Sequence, residues 1–496
     1  HAEFASGLAN FGVLYRAQGR YSEAEPLYKR ALSIQEQSLG PGHPEVAATA
    51  NNLAALFRAQ SRYADAKPFF ERAITILENA FGPDHPDLAT SISNLANLTA
   101  RLGSYGEAES LYKRVLSIRE KALGPEHPDV ARALINLAEL YRLDGRADAS
   151  EPLFRRALAI PKADIKEQVV FFGTNRKLDN VAKTVTFASG RAGQLSFGRG
   201  VLVAARPQVM QRANRRAAGA GLLDRSDGNL TSDQVFAIRN IQVAQAIGAL
   251  TDFSRAPKHL LVFVHGYRVG FEDALKRAAQ VAFDLDFDGP SFVFAWPSQA
   301  KLLAYDEDLL NAQLSVDQFA AFLGALTATA PSTKVHVVAH SMGNVVMLGA
   351  LEKLGEDPAK RHGVMGEIIM AHPDIALDQF KKKIFMARAL GLGMTLYTSQ
   401  LDRALWLSRL MSGVERAGRA PVVVDGVDTI DISGIGASLW SSNHAIYAAN
   451  PLVFGDIDRL IASGERPPDK RSSFFQPQGD GMKYWGYRIP PNDDYK

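Results

Sequence analysis

The stretch that decides the reading of this chain is Val335-His336-Val337-Val338-Ala339-His340-Ser341-Met342-Gly343-Asn344. Val335, Val337 and Val338 read as a buried strand, and the apolar run from Val345 to Leu354 reads as a helix. Ser341 stands between them with Ala339 two residues before and Gly343 two residues after. A turn that passes from strand to helix around one residue has no room for large neighbours. The spacing therefore fits the G-x-S-x-G nucleophile elbow, with alanine in the first place. A serine here can also be no more than a helix N-cap. The strand, the helix and the partners described below favour a nucleophile.

The chain has 496 residues, more than one ordinary core accommodates, so two or three domains are expected. The formal charge of +3 comes with no long basic run, which removes nucleic acid as an implied partner. No apolar run is long enough to span a bilayer. Without cysteine there is no disulfide framework, thiolate metal site or cysteine nucleophile, although this does not fix the compartment.

The first third repeats. The string Gly-Pro-x-His-Pro recurs at residues 40–44, 82–86 and 124–128, and Asn10, Asn52, Asn94 and Asn136 keep the same 42-residue period. A fixed period of this size signals stacked helix–turn–helix units. Gly19, Gly103 and Gly145 separate the two helices of a unit, with Ser61 in that place once. Gly-Pro ends the second helix, and His-Pro opens the next with an acidic residue (Glu45, Asp87 or Asp129) in its first turn. His43, His85 and His127 fall one per unit, which suits linker geometry better than a metal site. His1 stands one period before His43, so the sequence begins inside a linker and a longer array is expected.

These units resemble tetratricopeptide repeats of the kinesin-light-chain type over about residues 1–162. The resemblance implies a right-handed superhelix with a groove for protein or peptide partners. Asn10, Asn52, Asn94 and Asn136 either line that groove or make hydrogen bonds within the array.

After Ile160-Pro161 strand-like and helical runs alternate, as in a mostly parallel sheet covered on both faces. Strands are expected near 169–173, 201–204, 260–264, 292–295, 335–339, 368–371, 394–398 and 422–432. Helices are expected near 236–253, 271–283, 316–329, 342–354, 404–411 and 445–461. The fold class is thus multidomain: an all-α repeat superhelix (1–162), an α/β-hydrolase domain (163–463) and an irregular tail (464–496). The tail's aromatics (Phe474, Phe475, Tyr484, Trp485, Tyr487) should pack onto something.

Leu260–Val264 ends in His265-Gly266 just before a helix. In an α/β-hydrolase fold this loop and the residue after the nucleophile supply the two backbone N–H groups of the oxyanion hole, here Tyr267 and Met342. Each such donor is worth roughly 3 kcal/mol of barrier. The chain order Ser…Asp…His selects His444 as base, because no other histidine follows the last strand. Asp402, after the seventh strand, is favoured as the acid over Asp374, after the sixth. His265, Gly266, Trp296 and Tyr305 are pocket candidates, and the aromatics among them could equally be core. The triad chemistry needs no metal or organic cofactor.

The motifs H-G-Y-x-V-x-F-x-D-A, W-P-S (296–298), A-H-S-M-G-N, A-x-P-D-I, S-x-x-D-x-A-L and N-H-x-x-Y together resemble a bacterial α/β-hydrolase family of the esterase/lipase superfamily, from about Val169 to Ile461. Arg268 stands where many members have Asn. The resemblance implies a serine hydrolase cleaving an acyl ester, small or lipid-like. The alternatives are a thioesterase or amidase using the same triad, and a non-catalytic docking protein built on the two folds.

Overall fold

A computed structural model describes residues 2–17, 20–161, 165–179, 185–205, 236–250, 257–301, 304–356, 364–400, 402–419, 421–433, 451–472, 475–478 and 484–487. His444, Gly19, Phe474 and the start of the helix expected at 445–461 lie outside them. His1–Glu167 make up most of one compact unit and Asn240–Trp440 most of another.

The repeat unit is a run of helices: α1 (Ala2–Ala17), α2 (Tyr21–Leu39), α3 (Pro44–Ala59), α4 (Tyr63–Phe81), α5 (Leu88–Arg101), α6 (Tyr105–Leu123), α7 (Pro128–Leu143) and α8 (Ala147–Leu158). One aromatic per period anchors each pair: Tyr28, Phe70, Tyr112 and Phe154 are all buried. Small residues face them, and a Cβ on Gly12 would lie 2.8 Å from the Tyr28 ring. Gly40, Gly82 and Gly124 end the second helices at φ +90°, +85° and +82°, where side chains are disfavoured. His43 and His127 cap the next helix, Nδ1 accepting from the N–H of Glu45 and Asp129, and Nδ1 of His85 accepts from the N–H of Asp87 just ahead of α5. That local role accounts for their period without a metal.

The second unit is built on an 11-stranded sheet with β1 (Ile165–Asp179), β2 (Thr186–Ala205), β3 (Phe236–Ala244), β4 (His259–Val264), β5 (Ser291–Phe294), β6 (Lys334–His340), β7 (Val364–Ala371), β8 (Met394–Thr398), β9 (Asp428–Asp431), β10 (Phe475–Gln478) and β11 (Tyr484–Tyr487). The order is β10-β11-β9-β8-β7-β6-β4-β5-β1-β2-β3. From β1 across to β11 all neighbouring strands run parallel, and β10 returns antiparallel. The connecting helices are α9 (Phe271–Asp284), α10 (Tyr305–Leu314), α11 (Val316–Thr329), α12 (Gly343–Glu356), α13 (Leu377–Arg388), α14 (Arg403–Ser412), α15 (Pro451–Ser463) and α16 (Pro468–Arg471). Every residue of Leu260–Val264 and Val335–Ala339 is buried, as a strand covered on both faces requires.

Two expectations are corrected. Residues 236–244 form a strand, not the start of a helix; Phe236, Ala237 and Ile238 are consecutively buried although the strand closes one edge of the sheet. The tail holds two strands, and its aromatics Phe475 and Trp485 are buried. The fold class itself stands: helical repeats followed by an α/β domain.

Candidate active site

The strand register brings the proposed groups to the carboxyl ends of neighbouring strands, where open α/β sheets place their sites. His340 on β6 pairs with Ala371 on β7, so the next residues, Ser341 and His372, leave adjacent strands side by side. Both adopt left-handed backbone, φ +50° and +48°. A non-glycine residue rarely does so. At Ser341 this is the strained turn that an exposed nucleophile between strand and helix demands. The Ser341 N–H donates to Ala371 O at 3.0 Å. Asn344, fully buried, holds the turn from inside by donating Nδ2–H to Ala339 O and Ser341 O, each at 3.1 Å. A Cβ on Gly343 would sit 2.5 Å from Val264 O and 2.6 Å from His265 O, so glycine is obligatory there.

The loop after β4 lies directly against this turn. A Cβ on Gly266 would come 2.9 Å from the Ser341 Cβ. His265 is buried and stacked on Trp296, with ring centroids 4.9 Å apart, and Trp296 Nε1–H donates to His265 O at 2.7 Å. Burial holds the His265 imidazole neutral, well below its ordinary pKa. These two pocket candidates are therefore part of the core beneath the loop. Tyr267 donates its hydroxyl to Lys301 O at 3.1 Å. Arg268 has φ +60°, and its N–H donates to Asp308 Oδ2 at 3.2 Å.

Beneath the loop lies a polar network that sequence reasoning missed. Arg176, 1% exposed on β1, donates to Val269 O at 2.7 Å and Ser298 O at 3.2 Å. Ser298 Oγ accepts from the Val269 N–H at 3.0 Å and donates to Asp308 Oδ2 at 2.5 Å. Burial lowers the Arg176 pKa to about 10, against the pull of Asp308 and Asp273. Burial likewise raises that of Asp308, against hydrogen bonds from Ser298, Gln299 and Arg268. Only the S of W-P-S signalled the network in the sequence; Arg176 lies far upstream of it.

The two candidate acids differ. Asp374 Oδ2 accepts from Tyr305 Oη at 2.9 Å, Oδ1 accepts from Ser408 Oγ at 2.7 Å, and Arg416 Nε stands 3.3 Å from Oδ1. Tyr305 and Asp374 thus belong to a buried cross-link between α10 and α14, and burial raises the Asp374 pKa. Asp402 N-caps α14: Oδ1 accepts from the Leu405 N–H at 3.0 Å. Its Oδ2 is 2.8 Å from Nδ1 of His372. Burial pushes the Asp402 carboxyl up, but the hydrogen bond and charge of His372, with the Leu405 N–H, carry it below its ordinary value. Among the described residues no cluster of three or more His, Cys, Asp or Glu could hold a metal ion, and no helix is long and apolar enough to cross a membrane.

The central residues match a known family. Residues 245–464 match the one described as an alpha/beta hydrolase of unknown function (DUF900). Residues 3–79, 49–121 and 87–163 match the tetratricopeptide repeat. The chain joins tetratricopeptide repeats to a DUF900 α/β-hydrolase domain. An uncharacterized protein of Nostoc sp., alr1448, is 27% identical over 124 residues, which is 20% of this chain and 32% of that protein. The chain therefore spans about a third of the curated relative it matches. The crystal structure of BtubC (BKLC) from P. vanneervenii is 25% identical, covering 32% of this chain and 62% of that one, with a TM-score of 0.30. A putative kinesin light chain from Podosopora anserina is 26% identical over 32% of this chain and 76% of that one, with a TM-score of 0.31. β1, which carries Arg176, precedes the matched α/β segment.

In the repeats Asn10 is exposed, Asn52 and Asn136 are half-buried, and Asn94 is buried and donates to Asn51 Oδ1 at 3.2 Å. Asn94 therefore ties one repeat to the next. Tetratricopeptide repeats suggest protein partners for the chain.

Proposed function

We propose that the α/β domain is a serine hydrolase that cleaves an acyl ester, with Ser341 as nucleophile, His444 as base and Asp402 as acid. The observation that carries this is the left-handed Ser341 at a strand-to-helix turn packed against Gly266, with the buried Asp402 carboxyl after β8, two strands away. Ser341 Oγ attacks the acyl carbon as His444 takes its proton. The carbonyl oxygen becomes an oxyanion held by the backbone N–H groups of Tyr267 and Met342. Its collapse expels the alcohol, which leaves with the proton from His444. Water, deprotonated by His444, then releases the acid and restores Ser341. Asp402 orients His444 and stabilises the imidazolium without taking its proton.

Occupation of Asp374 by Tyr305, Ser408 and Arg416 supports Asp402 as the acid. Chromogenic esters, thioesters and amides test the assignment: the parent should turn over esters, and Ser341→Ala should not. Turnover confined to thioesters or amides would keep the triad and change the substrate class. The repeats would bring a protein partner. Charging Asn10, Asn52 and Asn136 should weaken its binding and leave ester turnover intact.

A further inference from the structure

His372 has no part in that triad, yet it makes a buried hydrogen-bond contact with it. We propose that His372 is a positioning residue that donates its Nδ1–H to Asp402 Oδ2, holding the acid ionised and oriented while the same carboxylate serves the base. This rests on the reading of Asp402 as the acid.

Three observations support it. First, the two side chains meet at 2.8 Å with His372 only 1% exposed, so no water competes for the contact. A carboxylate oxygen accepts two hydrogen bonds, so Oδ2 keeps a lone pair for a second donor while Leu405 N–H fixes Oδ1. Second, His372 is held in place at a conformational cost. Its backbone is left-handed, its N–H donates to Tyr397 O at 3.0 Å, and Gly418 packs so tightly on it that a Cβ there would lie 2.4 Å from the His372 carbonyl carbon. Third, its Nε2 is buried and finds no partner among the described residues. A residue kept only to fill space would be apolar there, because an unsatisfied buried nitrogen is unfavourable. The Asp402 contact is the side chain's one polar engagement among the described residues that offsets this.

The chemical consequence concerns proton affinity. The groups acting on Asp402 are His372 after β7, the Leu405 N–H at the start of α14, His340 at the end of β6 and Asp374 in the loop after β7. His340 is neutral, its pKa brought to about 3 by burial with Arg277 and His372 nearby. A donated hydrogen bond draws negative charge from Asp402, so the carboxylate binds a proton less well and stabilises an imidazolium less strongly. The base is thereby free of its proton at lower pH than with an unassisted acid.

The test compares the parent with His372→Gly, which relaxes the left-handed backbone and removes the donor, and His372→Asn, which tolerates that backbone and keeps an N–H. The readout is the rate of fluorophosphonate labelling of the full chain between about pH 5 and pH 9. The glycine variant's acidic limb should move up by about one pH unit, seen as roughly tenfold slower labelling on that side, with the asparagine variant near the parent. An unmoved limb in a folded, labelled glycine variant overturns the proposal and leaves the triad standing. A parent that takes no label removes the triad and this proposal with it. A second measurement needs no variant to fold: in parent protein carrying 15N-histidine, His372 should be the Nδ1–H tautomer, and an Nε2–H tautomer refutes the donor role.

Discussion

Replacing Arg176 by Met keeps an unbranched apolar stem and removes the charge and all the donors. The structure sets the size of the effect. Arg176 makes two charge-assisted hydrogen bonds, to Val269 O and Ser298 O, and hydrogen bonds to charged groups contribute about 1.5–3 kcal/mol each. Against this stands the cost of burying the guanidinium, visible in its pKa of about 10. The net loss should be about 3 kcal/mol, or about 5 °C in melting temperature for a domain of this size. All four tryptophans (Trp296, Trp406, Trp440 and Trp485) follow the repeats in sequence, so tryptophan fluorescence reports unfolding of the hydrolase part. The loop that Arg176 holds also carries Tyr267, so Ser341 labelling should slow by at least about tenfold below the melting range. Arg176→Lys, a point charge without the planar fork, should fall between. An Arg176→Met protein that melts and labels like the parent would refute the argument that this network builds the oxyanion loop.

Other expectations follow from single contacts. His336 accepts from the Glu367 N–H and lies 2.9 Å from His259 Nδ1; burial, His259 and Lys334 bring its pKa to about 4. Its folded pKa is below the ordinary value near 6.5, so the unfolded chain binds the proton first. Stability should fall by about 3 kcal/mol between about pH 6.5 and pH 4, a slope that urea midpoints in His336→Gln should show flattened. Ser61 sits at φ +60° in the slot that Gly103 and Gly145 occupy at +79° and +73°, so Ser61→Gly should stabilise the repeats by about 0.5–1 kcal/mol in thermal unfolding followed by circular dichroism. Gly343→Ala drives a methyl into the Val264 and His265 carbonyl oxygens and should cost about 2–3 kcal/mol and abolish labelling; a labelled, parent-like variant would contradict the elbow geometry.

Much of this was legible because it is local. The 42-residue period marks every helix pair, since each glycine, proline and capping histidine acts within a few residues of its own turn. The elbow was legible for the same reason: Ala339, Ser341 and Gly343 share one turn. What escaped depends on which strand ends meet. His372 looks like a variable position in A-x-P-D-I, and only the β7–β8 pairing brings it to Asp402, 30 residues away. Arg176 reaches its carbonyls because β1 pairs with β5. The strand at 236–244 carries apolar Ala237, Ile241 and Ala244 at i, i+4 and i+7, a helical spacing, and the sheet overrides it. Its β-branched Ile238, Ile241 and Val243 were the available signal. In the tail, Pro477 lacks the N–H that an inner strand would need. β10 accepts it because it is the outermost strand of the sheet, where a missing N–H costs least.

The central claim is that Ser341 is an activated nucleophile. The most direct test is intact-mass analysis after fluorophosphonate treatment of the parent, Ser341→Ala and His444→Ala. The account requires a single adduct on the parent and none on either variant. A folded parent without an adduct, or an adduct that survives in Ser341→Ala, would contradict it.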